Sequence, residues 1–362
     1  MALMPDAAAV ARCALTVLLA GCATRAPDPT ATEPASPSPS PVATATATIA
    51  AASASASASA TDEPEPSFEV ATYPVPPGSH PHDVAPADDG GIWYTAQASG
   101  RLGWLDSETG EVREIPLGPG SAPHGVVTGP DGAAWVTDSG LNAIVRVGAD
   151  DEVTAYPLDA PNANLNTATF DGDGILWFTG QNGVYGSLDP ATGAVEVHAA
   201  PRVAGPYGIA TTPEGDVAFS SLAGSYLGAI DRASGEVTVI DTPTAGGGAR
   251  RIWSDSGGRL WVTEWFAGRL AMFNPADAEW SEWTLPGASP MPYAVYVDER
   301  DAVWVTDFGS NAILRFDPDR EEWLTFALES QPAEVRQLLG REGEVWGAES
   351  AADRLVVVRA AD

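Results

Sequence analysis

Two sets of residues in this chain stand where chemistry could be done. In chain order the first is His82, His124, Asn166, Tyr207, Arg250, Tyr293 and Val335. The second is Ala96, Asp138, Gly180, Ser221, Glu264, Asp307 and Glu349. A member of the second set follows each member of the first by about 14 residues. Imidazoles offer a base or a metal-binding nitrogen near neutral pH. Asp307 with Glu349 offers oxygen ligands of the kind a divalent cation takes. Arg250 beside Glu264 reads as an ion pair within one repeat. His80 and His82, two apart, would share one strand face, as a zinc pair or as a plain surface pair, while His198 falls on an outer strand and reads as inert.

What places these residues together is a repeat of about 42 residues, present seven times. Its clearest copy runs Pro123-His124-Gly125-Val126, Pro130-Asp131-Gly132, Ala134-Trp135-Val136-Thr137-Asp138. The other copies centre on Trp93, Trp177, Ala218-Phe219, Trp261, Trp304 and Trp346. Each copy alternates apolar and polar residues over short runs separated by Gly, Pro and Asp, so it predicts four antiparallel strands. A period in this range with several short strands per copy predicts a β-propeller, here with seven blades. The Trp on the second strand should pack between blades. The last copy has room for three strands only. Phe68–Pro74 matches Glu152–Pro157, so this N-terminal strand is expected to complete the last blade and remove the open edge. The first residue of strand one and the last of strand two return to the same end of a blade through their hairpin. All seven blades would therefore present their pair on one face around the axis. A uniform frame with a variable polar rim predicts a ligand site; the same positions would also serve simply to cap strand ends and hold water.

The formal net charge is −31, and every basic residue is Arg. No basic stripe exists to meet phosphates, which argues against nucleic acid as a partner. The two cysteines, Cys13 and Cys22, lie near the N-terminus, so the repeat region must be stable by packing alone. Residues 7–22 form an apolar run too short for a permanent membrane span. Its end, Leu18-Leu19-Ala20-Gly21-Cys22, resembles a bacterial lipobox, with Cys22 as the lipidated residue. Residues 23–66 are Ala, Ser, Thr and Pro in alternation and read as a disordered tether reaching on the order of 35–40 Å. The expected organisation is a signal peptide over 1–22, a tether over 23–66 and the propeller over 67–362. The protein is then exported and lipid-anchored to the outer face of the cytoplasmic membrane or the cell surface, touching the membrane only through its lipid, and is a monomer.

The phrases APHGVVTGPDGAAWVTDSGLNAIVRV, GPYGIATTPEG, GRLWVTEWFAGRLAMF and MPYAVYVDERDAVWVTDFGSNAILRF resemble the repeats of the virginiamycin B lyase (streptogramin lyase) family. The likeness spans residues 68–362. It implies an enzyme that opens a cyclic depsipeptide by elimination across an ester, with a magnesium ion and a histidine base. It also implies a site at the axis built by the last two blades, with His at a strand-one start and Glu near a strand-two end. Carried over here, Glu349 falls near the acidic metal ligand of the last blade. The His position of that blade is read as Val335, and the second acid, two residues earlier, as Ala333. In the blade before, the His position is Tyr293. Valine cannot take a proton, and an unperturbed tyrosine titrates near ~10. The favoured expectation is a propeller that binds a small molecule or peptide at its axial face and has lost the lyase histidines. One alternative is a metal-dependent C–O lyase or hydrolase with a relocated site drawn from His82, His124, Asp138 and Glu349, with His82 facing Glu349 across the ring closure. Another is a protein-interaction propeller.

Overall fold

The computed structural model describes residues 67–202 and 205–361. Cys22, the signal segment and the proposed tether lie outside them. All regular structure in the described residues is β-strand, arranged as seven four-stranded antiparallel sheets. Blade 1 is Pro81–Pro86, Ile92–Ala96, Arg101–Leu105 and Val112–Pro116, in that order from the inside out. Blades 2 to 6 repeat this order, with first strands Pro123–Thr128, Leu165–Phe170, Pro206–Thr211, Ala249–Ser254 and Pro292–Val297. Blade 7 takes Val335–Arg341, Glu344–Glu349 and Arg354–Ala360 from the C-terminus and its outer strand, Phe68–Pro74, from the start of the described chain. That strand pairs from Phe68↔Ala360 to Pro74↔Arg354, so the ring closes as the repeat count requires.

The strands form where β-branched and aromatic residues alternate, and the turns fall where Gly supplies positive φ, as at Gly132 (φ 71°) after Pro130-Asp131. The second-strand Trp is the main wedge between blades. Trp135 packs with Ala163, Leu165 and Phe178 of blade 3, and Trp304 of blade 6 meets Phe68 of blade 7 edge-on at 5.7 Å. Each indole N–H needs an acceptor when buried. In five blades it finds one in an acid of the same blade: Trp135 donates to Asp131 (3.1 Å), Trp177 to Asp171 (2.9 Å), Trp261 to Asp255 (2.8 Å), Trp304 to Asp298 (2.8 Å) and Trp346 to Glu344 (2.8 Å), while the Trp93 N–H of blade 1 has no partner.

Each blade carries a β-bulge one residue into its first strand. In blade 1 the pairing steps from Pro81↔Ala96 to Val84↔Tyr94, so His82 and Asp83 together oppose Thr95. The same step follows Pro123, Leu165, Pro206, Ala249, Pro292 and Val335. A hydroxyl from strand two holds the bulge. Thr137 Oγ1 accepts from Gly125 N (2.8 Å) and donates to the carbonyl of Asn166 in the next blade (2.6 Å). Thr95, Thr179, Ser220 and Thr263 make the same pair of contacts. Blade 7 has Ala348 at this place; there Gln337 Oε1 accepts from Val84 N (3.0 Å), and Ser350 Oγ donates to the Pro81 carbonyl.

The register corrects one expectation. Val335 pairs with Glu349 as Pro292 pairs with Asp307, so Val335 is not the bulge residue of blade 7. Arg336 is. The hairpin of that blade is one residue shorter than the others, and counting back from Glu349 therefore lands one place early. The residue two before the bulge is accordingly Glu334, not Ala333.

Candidate axial site

A bulge turns two consecutive side chains away from strict alternation, and here it delivers both toward the hub. His82 Nδ1 lies 2.7 Å from Asp83 Oδ1, and its ring sits 3.9 Å from that of His124 in blade 2. His124 Nδ1 donates to the carbonyl of Asn166 at 3.0 Å, which leaves Nε2 to accept from Asn166 Nδ2 at 3.3 Å. From the far side of the ring Arg251 donates to Asp83 Oδ1 (2.9 Å) and to Thr167 Oγ1 (2.5 Å). All of His82, Asp83, His124, Asn166 and Arg251 are buried. Burial drives both imidazoles well below their ordinary pKa; at His82 the positive field of Arg251, Arg336 and Arg250 adds to it, and at His124 the neighbouring His82 does. Burial likewise lifts Asp83 above the usual carboxylate value, against the pull of Arg251. Among the described residues, His82, Asp83 and His124 are the one group of three whose ligand atoms come within 4.8 Å of one another.

Blades 4 to 7 build a second, aromatic part of the hub. Tyr207 and Tyr293 share a hydrogen bond of 2.6 Å between their hydroxyls, and Arg250 Nη2 donates to the Tyr207 oxygen at 2.9 Å. The Arg250 guanidinium lies 3.6 Å from the centre of the Tyr293 ring and 4.5 Å from that of Trp265. Phe308 stacks on Tyr293 at 4.9 Å. Burial alone pushes the Tyr293 phenol up, but Arg250 and Arg251, with the Tyr207 hydroxyl, bring it below its ordinary value. Tyr207 is raised, by burial and then by Tyr293.

The strand-two ends sort differently. Asp138 caps loops, accepting from Ala122 N (2.9 Å), Gly140 N (3.0 Å), Leu141 N (2.9 Å) and the Ser121 hydroxyl. Asp307 does the same for Met291 N (2.6 Å), Gly309 N (3.0 Å) and Ser310 (3.0 Å). Glu264 is fully buried and neither of its oxygens has a hydrogen-bond partner; burial and then the neighbouring Glu282 push it up to about 7. It does not pair with Arg250. Glu349 accepts from Ser330 Oγ at 2.5 Å, its other oxygen is unpartnered, and burial raises it. His82 is turned to Asp83 and His124, while Glu349 looks to Ser330 in the adjoining loop. His80 contacts the carbonyl of Ser350 at 3.2 Å, and His198 stacks on Tyr185 at 5.3 Å on an outer strand.

At the blade 7 bulge the Arg336 guanidinium pairs with Glu334. Arg336 stays firmly protonated: burial opposes this, but Tyr293 and Glu334 outweigh it. Sequence reasoning had passed over Asp83, Thr167, Arg251 and Gln337, each directly after a bulge residue, because a regular strand would point them away from the hub. Pro opens the first strand in blades 1, 2, 4 and 6, but blades 3, 5 and 7 carry the same bulge after Leu165, Ala249 and Val335, so no one residue type marks it.

The fold has counterparts among solved structures. Virginiamycin B lyase from Staphylococcus aureus is 20% identical over 81% of this chain and 99% of its own, with a TM-score of 0.76. A streptogramin B lyase is 23% identical over 81% of this chain and 97% of its own, with a TM-score of 0.75. A catalytically inactive histidine-to-alanine variant of the S. aureus enzyme, solved with quinupristin, aligns as well, with a TM-score of 0.76. At these identities the likeness speaks for the fold. No curated protein sequence matches. The model of the virginiamycin B lyase family matches residues 43–289. With seven four-stranded blades and this match over most of its length, the chain belongs to the virginiamycin B lyase family.

Proposed function

We propose that this chain is a ligand-binding propeller that uses its axial face and does not perform the magnesium-dependent elimination for which its family is named. One observation carries the reading: the Arg336–Glu334 ion pair at the blade 7 bulge. The family resemblance calls there for a histidine base beside a metal-binding acid. A guanidinium cannot accept a proton in a protein, and it already supplies Glu334 with a positive charge. A magnesium ion at this acid would face that charge at close range, so the residues present do not fit the ion. At the blade 6 bulge the histidine position is Tyr293, buried and bonded to Tyr207. As further proposals, the propeller is exported, tethered through a lipid on Cys22, monomeric, and takes a small molecule or peptide.

The test is direct. The full chain is incubated with a streptogramin B depsipeptide and Mg2+, and ring opening is followed by chromatography. The ring should stay closed. Turnover above that of a Glu349→Ala control overturns the proposal.

A second reading has its own support. The His82–Asp83 contact of 2.7 Å orients an imidazole as a carboxylate orients the base of a relocated catalytic site. On that reading any hydrolase or lyase activity found in the chain would fall on His82→Ala and His124→Ala.

A further inference from the structure

Arg250 has no carboxylate partner among the described residues. Its Nη2 donates to the Tyr207 hydroxyl, and its Nε has no acceptor. This is notable in a chain with 49 acidic residues against 18 basic ones, where the neighbouring Arg251 and Arg336 are both paired to acids. Glu264, at the end of the partner strand in the same blade, does not supply the missing charge. The guanidinium lies over the Tyr293 ring at 3.6 Å and beside Trp265 at 4.5 Å, two rings set at 82° to one another. With Nε buried and Nη2 engaged by Tyr207, the terminal Nη groups are the part of the guanidinium that a carboxylate would bond. Beside it Trp265 and Phe308 meet edge to face at 5.5 Å, both half-buried, and the adjoining Phe266 is 67% exposed. Isolated exposed apolar side chains are ordinary, but a large aromatic beside an unpaired cation at a hub is an arrangement that a ligand completes.

We propose that Arg250 anchors the carboxylate of an aromatic or apolar carboxylic acid, whose hydrocarbon part lies against Trp265, Phe266 and Phe308. The inference rests on the axial-binding reading above and narrows it to a ligand class. Arg336, 5.9 Å from the Phe308 ring, adds to the positive field that draws the anion in. The Arg250 guanidinium supplies the charge-assisted bonds, and the aromatic shelf supplies the apolar contact.

Titration calorimetry on the full chain tests this with phenylacetate, benzoate and N-acetyl-L-phenylalanine, each set against its neutral amide. The acids should bind saturably and the amides at least tenfold more weakly. Arg250→Gln should abolish the preference. Arg250→Lys should weaken the acids while keeping them ahead of the amides, and Phe308→Ala should weaken acid and amide alike. Thermal melts of each variant separate lost binding from lost folding. Equal binding of acids and amides overturns the anchor role while leaving an axial ligand site in place. Failure of the whole panel to bind, or undiminished acid binding by a folded Arg250→Gln, overturns the ligand class. The broader reading fails separately, if neutral amides, peptides and sugars also leave the melting temperature unmoved.

Discussion

Arg336 donates to the carboxylate of Glu334, two residues earlier, where the first strand of blade 7 enters the hub. The pair sets the electrostatics of that side of the axis: it spends the one carboxylate at the bulge on an internal cation. In the parent chain millimolar Mg2+ should leave the melting temperature unchanged. In Arg336→Ala, Glu334 is released from its cation in the same blade whose Glu349 Oε1 has no partner, and millimolar Mg2+ should then raise the melting temperature, since a ligand that binds only the folded state stabilises it. Differential scanning fluorimetry with and without EDTA reads the difference; a parent chain stabilised by Mg2+ would contradict the argument.

Glu264 gives the protein a pH signature. Its folded value, up to about 7, exceeds its ordinary 4.5, so the folded state holds the proton more tightly than the unfolded chain. Its contribution therefore erodes stability as pH rises from about 4.5 to about 7, and the loss is complete above that. Glu264→Gln should leave stability nearly unchanged at pH 4 and raise it at pH 8 by on the order of 1–2 kcal/mol, the full shift being discounted for solvent screening and for the share carried by Glu282. Urea melts of both proteins across that range check the sign.

Asp255 has a different duty. Its Oδ2 accepts from Trp261 Nε1 (2.8 Å) and Arg259 Nε (2.6 Å), and its Oδ1 accepts from Gly257 N (3.0 Å) and Arg259 N (2.9 Å). Asp255→Ala strands a buried indole N–H and loosens the hairpin that carries it. A loss of about 2–3 kcal/mol is expected from urea denaturation, with the axial face still able to bind.

Removing residues 67–74 strips the outer strand of blade 7 and lays bare the edge of Arg354–Ala360. That edge carries Leu355, Val356, Val357 and Val358 in sequence, a poor surface to leave unpaired. The shortened chain should aggregate at concentrations where the parent is monodisperse, as size-exclusion chromatography with light scattering would show.

Much of this frame could be read from the amino acids, because a blade is a local object. Trp135, its Pro130-Asp131-Gly132 turn and the Thr137-Asp138 ending announce two strands and a hairpin within a few residues, and each strand-two end falls where that pattern puts it. Phe68–Pro74 could be matched to the missing strand because it copies the outer-strand pattern. The hub was harder. Asp83 and Arg251 meet at 2.9 Å from blades 1 and 5, a contact across the axis that no local spacing encodes. Their aim depends on a bulge, which breaks the alternation that strand reading assumes. Arg336 and Glu334 escaped notice for a simpler reason: one residue fewer in a hairpin moved the count by one place.

At five successive joints of the ring, a Thr or Ser hydroxyl ties its own bulge to the bulge carbonyl of the next blade. At the bulges themselves those ties engage only main-chain N–H and C=O groups. The side chains that project from the bulges are thereby excused from keeping the wheel together. Imidazole, amide, phenol and guanidinium can stand at equivalent spokes without altering the rim they spring from. A scaffold built on this plan can trade one reagent for another a single codon at a time, and its members can part ways in chemistry long before they part ways in shape.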